Sequence, residues 1–332
     1  MKLKFSKSYQ NIFDIKKDFY DENKKNYLNI LKINKKYIKQ PNRKNCKICN
    51  KKLTKKIFFQ HFINYSVCKN CGHLNGLNED TKKFTDWLYN QNKGKNYSAA
   101  YTKNFSERLK KIYIPKAQFL KDVLKKNINL IELGSGGGHF LKALELKKIN
   151  AVGFETNDNL INLAKKKLKT NKIFSLKKQN FSKVIHGKSY NVFAMIAVLE
   201  HLNNPHEIMK LFMKSKIQYL YISIPLFSLS ALIENSFKNV FPRHLGGAHT
   251  HLFTKESIKY FKKKYRLKSV GEWWFGTDIP DLMRSLQNSS SVYNKLEYNK
   301  FLSTYLHSVA DELQNILDKN KICSEVHLIL KK

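Results

Sequence analysis

The chain has 332 residues, with 62 Lys+Arg against 25 Asp+Glu and a formal net charge of +37. Its hydrophobic share of 42% and aromatic share of 13% exclude a wholly disordered polycation, and its length predicts two or three structural units. No run of 18 apolar residues occurs, which excludes a membrane-spanning helix, and the opening MKLKFSKSYQ lacks an apolar core for export, so the expected location is cytoplasmic.

Residues 1–40 place Phe13, Tyr20, Tyr27, Leu31 and Tyr37 among lysines and are expected to form a helical, basic arm. The charge itself is a weak guide to partners. Only five of the 62 basic residues are arginine, the better residue for bidentate phosphate recognition, and the lysines are spread along the whole chain. That distribution fits an A/T-rich coding bias better than an evolved nucleic-acid surface, although some attraction for polyanions follows in either case.

Residues 41–80 carry a sharper signal. Cys46-Lys-Ile-Cys49 and Cys68-Lys-Asn-Cys71 are two C-x-x-C pairs separated by eighteen residues. This spacing can set four thiolates around one tetrahedral Zn²⁺, whose charge offsets their mutual repulsion. Asn50 and Gly72 follow the two pairs, where a tight knuckle needs positive φ. Four sulfur ligands leave no open position, so the expected metal is structural rather than catalytic. Disulfides are disfavoured without an export signal.

After linker helices over 81–115, residues 116–332 read as alternating strands and helices. Asn129–Leu133 is a short apolar strand, followed by Gly134-Ser-Gly136-Gly-Gly138 and a helix carrying Phe140, Leu141 and Leu144. Strand, glycine turn and helix is the context in which such a turn binds a nucleotide, with backbone N–H groups free at the helix start. A second strand, Asn150–Phe154, ends at Glu155, placed to hold both hydroxyls of a ribose. Further strands are expected at 173–176, 191–197 and 217–224, with helices at 160–168 and from about Pro205. The fold class is therefore α/β: a doubly wound, mostly parallel sheet, with a small N-terminal zinc module and a helical insertion (276–321) before a last strand near 325–330. Gly134, Glu155, Asn180, Glu200 and His201 would lie at the carboxyl ends of the strands, where ligands bind in such sheets.

Glu132-x-Gly134-x-Gly136-x-Gly138, the acidic Glu155, and Val198-Leu199-Glu200-His201-Leu202 followed by Pro205 resemble the successive motifs of class I S-adenosylmethionine-dependent methyltransferases. The resemblance spans roughly residues 97–332. It implies that Glu132, Gly134, Gly136, Gly138 and Glu200 belong to the cofactor site and that Glu155 holds the ribose. Asn180 stands where the family usually has an aspartate near the adenine. The four-cysteine module ahead of this core is similar to that of sugar methyltransferases of deoxysugar and surface-polysaccharide pathways. That likeness implies Tyr97 and Tyr101 of the bridging segment near the methionine end of the cofactor. The longer members of that group have a further C-terminal domain, which is not matched here.

Methyl transfer from a sulfonium needs approach geometry and, for a hydroxyl or carbon acid, a base. His201 is one candidate. His249 and His251 precede a helix start at Thr254 and are the others. The expected acceptor is a sugar, a sugar nucleotide or a related small molecule of polysaccharide biosynthesis. The rivals are an RNA methyltransferase gripping nucleic acid through the zinc module and basic surface, and a non-catalytic zinc-stabilised interaction protein.

Overall fold

The computed structural model describes residues 1–8, 15, 22–91, 104–125, 127–168, 172–178, 180–187, 190–289 and 295–332. Strand β1 (Lys2–Phe5) opens the chain, followed by α1 (Asn23–Tyr37), three short strands β2 (Phe58–Gln60), β3 (Ile63–Val67) and β4 (Leu74–Gly76), and α2 (Lys82–Asn90). Helix α3 (Phe105–Arg108) runs through a π turn into α4 (Ile114–Leu124). The core then alternates: β5 (Asn129–Leu133), α5 (His139–Leu146), β6 (Asn150–Glu155), α6 (Asp158–Leu168), β7 (Ile173–Ser175), α7 (Phe181–Ile185) and β8 (Val192–Ile196). A 3₁₀ turn (Leu199–His201) leads into α8 (Pro205–Lys214), β9 (Tyr219–Pro225), α9 (Leu229–Ser236), β10 (His251–Leu252), α10 (Lys255–Lys264) and β11 (Lys268–Phe275). Helices α11 (Asp278–Ser289) and α12 (Lys295–Lys319) form the insertion before β12 (Glu325–Lys331).

The eight-stranded sheet has the order β1-β11-β12-β9-β8-β5-β6-β7, and β12 alone runs against its neighbours. Each parallel crossover needs a helix, and the strands, buried on both faces, are accordingly continuous apolar runs such as Val192–Ile196. The chain winds outward from β5 through β6 and β7, then returns to place β8 and β9 on the other side. The gap between the carboxyl ends of β5 and β8 is therefore the switch point, where ligands bind.

Two expectations change. The arm over 1–40 is not helical throughout: Leu3 and its neighbours pair in parallel with β11 from Lys2↔Gly271 to Phe5↔Trp274. Its lysines suit an exposed sheet edge, and Lys4 Nζ lies 3.9 Å from the Trp273 ring centroid. The module at 41–80 is also not a detached bead. Its sheet has the order β10-β4-β3-β2, so its outer strand is supplied by residues 251–252 of the core.

Candidate active site

A cleft of about 530 Å³ opens at the switch point, lined by Gly134, Glu155, Asn157, Ala197, Val198 and His201, with Thr85, Asp86 and Tyr89 from α2 across from them. Gly134 has φ +73°, and a Cβ there would stand 2.6 Å from Val198 Cγ2, so the turn after β5 requires glycine on both counts. The Glu155 carboxylate organises the loop: it accepts from Gly136 N at 2.8 Å, Thr156 N at 2.7 Å and Asn157 N at 3.0 Å. Gly138 begins α5. Glu132, at the end of β5, is buried, and that burial raises its carboxyl well above the usual range, with the nearby Glu155 charge adding to the effect.

His201 and His249 come together although 48 residues separate them in sequence: their ring centroids are 4.9 Å apart at an interplanar angle of 31°. Tyr89 meets His201 edge-on at 6.0 Å. Burial holds the two imidazoles down to about 3 for His201 and about 4 for His249, so both are neutral near pH 7. His249 Nδ1 lies 3.2 Å from the Arg243 carbonyl, which leaves Nε2 for other partners.

Other sequence-based candidates lie elsewhere. His251 does not reach the cleft. It is 1% exposed and its Nδ1 sits 2.8 Å from His73 Nε2, because β10 turns its side chain onto the cysteine module. Asn180 is exposed and caps α7, accepting from Lys183 N at 3.3 Å, so it is a helix-start residue rather than a wall of the described cleft. Glu200 is buried behind His201 and is not among the residues lining that cleft. Tyr97 and Tyr101 fall outside the described residues.

Residues 105–266 match a family model described as a methyltransferase domain. The chain carries a methyltransferase domain of the S-adenosylmethionine-dependent kind. A comparison with curated protein sequences finds no match. Similar solved structures include a SAM dependent methyltransferase from Archaeoglobus fulgidus, at 17% identity over 69% of this chain and 98% of that one, with a TM-score of 0.42. Another is the magnesium protoporphyrin IX methyltransferase from Synechocystis PCC 6803 with bound SAH, at 10% identity over 76% and 100% of the two chains, TM-score 0.47. A plantazolicin methyltransferase in complex with a triazolic desmethylPZN analog and SAH is 17% identical over 75% and 94%, TM-score 0.45.

In this methyltransferase the loop carrying His249 is held by charges that sequence reasoning missed. Glu234 accepts from Arg243 N at 2.6 Å and His244 N at 3.0 Å. Asp281, in the insertion helix α11, accepts from Arg243 Nη1 at 2.6 Å and lies 3.0 Å from His244 Nε2. Arg284 Nη1 donates to the Phe241 carbonyl at 2.8 Å. The only sequence signal was an Asp-x-x-Arg pair on an otherwise amphipathic helix, which usually marks a solvated face.

The four cysteines of the methyltransferase's N-terminal module converge. Their Sγ atoms all lie within 4.8 Å of one another, with Cys46–Cys71 at 3.6 Å and Cys49–Cys68 at 3.4 Å. These separations are too long for a disulfide and close to the ~3.8 Å edge of a tetrahedron with ~2.3 Å metal–sulfur bonds. Asn50 N donates to Cys46 O at 2.9 Å and Gly72 N to Cys68 O at 2.8 Å, with φ of +60° and +72°, closing the two knuckle turns. Asn75 Nδ2 approaches Cys46 Sγ at 3.6 Å, as a donor to a thiolate would.

Proposed function

We propose that the protein transfers the methyl group of S-adenosylmethionine to a sugar, a sugar nucleotide or a related small molecule, in polysaccharide biosynthesis. The observation that carries this reading is that His201, paired with His249, lines the same cleft as Gly134 and Glu155. In this reading Glu155 holds the cofactor ribose, and Glu132, Gly134, Gly136 and Gly138 form the turn around it, with Tyr97 and Tyr101 at the methionine end. The acceptor's lone pair attacks the sulfonium methyl carbon, the carbon–sulfur bond breaks with its electron pair going to sulfur, and the acceptor's proton leaves on the histidine side. Neutral imidazoles beside the cleft are suited to that step.

Cys46, Cys49, Cys68 and Cys71 would hold one structural zinc ion. The buried four-sulfur set supports that choice, since thiolates in a closed tetrahedron suit zinc.

An anionic acceptor gains support from a second cavity of about 710 Å³, which Asn203 shares with the cleft. Its lining includes Lys44, Lys210 and Lys264, while Arg43 and Lys47 in the same lining are buried and paired with Asp80, and Arg43 also with Glu79. The same cations favour a second reading, methylation of RNA.

Turnover of radiolabelled S-adenosylmethionine with pools of sugar nucleotides and of RNA tests both. Label in the sugar-nucleotide pool supports the first reading, and label confined to RNA overturns it. Salt adds a check, because an RNA enzyme loses affinity steeply between 50 and 200 mM salt, as roughly one counterion is released per phosphate contact.

A further inference from the structure

Behind the histidine pair lies a group that methyl transfer alone does not explain. Glu200 and His201 share the 3₁₀ turn after β8, and His249 reaches them from the loop before β10. One ligand atom from each of the three residues lies within 4.8 Å of those from the other two, and Glu200 Oε1 is 4.0 Å from His201 Nε2. Glu200 is only 3% exposed, yet among the described residues its Oε2 has no hydrogen-bond partner, and neither has the buried Nδ1 of His201. Buried polar atoms left without a partner are costly, and here they belong to two of the three residues whose ligand atoms cluster.

The neighbouring cluster of Glu234, His244 and Asp281 makes the contrast. It holds two carboxylates and one histidine, with their ligand atoms likewise within 4.8 Å of one another. There, however, backbone N–H groups and Arg243 already occupy the carboxylates, so nothing further is needed.

We infer that Glu200, His201 and His249 form a binding site for one divalent first-row metal cation beside the methyl-transfer cleft. One carboxylate and two imidazoles suit Mn²⁺ or Fe²⁺ better than a closed thiolate set does, and His201 lines the cleft. The Arg243 carbonyl, 3.2 Å from His249 Nδ1, is placed as outer partners are in such sites: it would take an Nδ1–H and leave Nε2 as the ligand atom.

For the role of this ion, the inference rests on the functional reading above. An ion held by Glu200, His201 and His249 would supply Lewis acidity, so that an acceptor hydroxyl would give its proton to water more easily and its oxygen would attack the sulfonium methyl carbon. The carbon–sulfur bonding pair returns to sulfur. With the ion bound, His201 and His249 would serve as its ligands in place of taking the proton themselves, and the ion would lower the hydroxyl pKa.

Mn²⁺ is the probe of choice, since thiolates prefer softer ions and the four-cysteine module does not compete for it strongly. Titrating Mn²⁺ into the full chain, with free Mn²⁺ followed by electron paramagnetic resonance, should show one ion bound per chain. Glu200→Gln should weaken binding at least about tenfold, the loss of a charged ligand, while keeping a cooperative thermal melt by circular dichroism. Glu207→Gln, a carboxylate on α8 away from the cluster, should bind as the wild type does. Absence of Mn²⁺ binding, or equal binding by Glu200→Gln, overturns the inference. Methyl transfer without any bound ion would overturn the site and leave the functional reading intact. Site-specific Mn²⁺ without methyl transfer to any acceptor would do the reverse.

Discussion

His73 Nε2 and His251 Nδ1 lie 2.8 Å apart in the interior, joining the cysteine module to the strand that follows the His249 loop. Both rings are essentially inaccessible to solvent, and Gly76 N donates to the Thr250 carbonyl at 2.7 Å beside them. The module that binds the four cysteines together thus also holds the loop on which one of the two cleft histidines sits.

Removing that ring contact should cost stability first. His251→Ala opens a cavity and leaves a buried His73 nitrogen without its partner, for an expected loss of about 2–4 kcal/mol. Urea unfolding with an unchanged m-value would measure it. A loss under about 0.5 kcal/mol would mean that the two sheets are held together by other contacts.

Turnover should separate the three histidines. His201→Ala and His249→Ala are each expected to lower kcat by about 10²-fold or more, the usual worth of a positioned group at the reacting atoms. His251→Ala, measured well below its melting temperature, should keep kcat within about threefold of the wild type. Steady-state kinetics on purified variants decides this, and equal losses at all three positions would remove the distinction drawn from the geometry.

Cofactor affinity should depend on the turn after β5. Gly134→Ala forces a side chain into a left-handed backbone position already crowded by Val198, and Glu155→Gln replaces a carboxylate that draws in three backbone N–H groups. Each is expected to weaken S-adenosylmethionine binding by about tenfold or more in titration calorimetry.

Metal content and stability should move together at the knuckle. Mass spectrometry is expected to find one zinc per chain, lost in Cys46→Ser and Cys71→Ser. Stripping the metal should lower the melting temperature, because ligand binding to the folded state alone adds directly to its stability. An unchanged melt after complete removal of zinc would exclude a structural role.

Acid should destabilise the fold through the cleft histidines. Both are held below their ordinary value by burial, to about 3 and about 4, so the unfolded chain takes up protons that the native one refuses. Their contribution is fully present above about pH 6.5 and is lost as pH falls toward their folded values. Between pH 6.5 and 5 the loss should be ~1–2 kcal/mol for each. His249→Asn should flatten that part of a stability–pH curve.

Local chemistry made much of this protein legible from its residues alone. The Cys-x-x-Cys pairs with Asn50 and Gly72 behind them, the glycine turn between an apolar strand and a helix, and the acidic residue closing the next strand each rest on contacts only a few residues apart. Such contacts follow from backbone geometry and periodicity, so the order of strands and helices through the core, the cysteine cluster and the position of Glu155 could be read directly. What the tertiary structure decided was pairing across distance. It turned Lys2–Phe5 into an edge strand, sent His251 into the interior against His73, buried Glu200 behind His201 and brought His249 to the same point. It also placed Asp281 and Arg284 under the His249 loop. His251 opens β10 and pairs opposite Asn75 of β4, which sets its ring against His73 in the interior, while His249 lies ahead of that strand on the loop and meets His201; such pairings join residues far apart in the chain, where local periodicity carries no information.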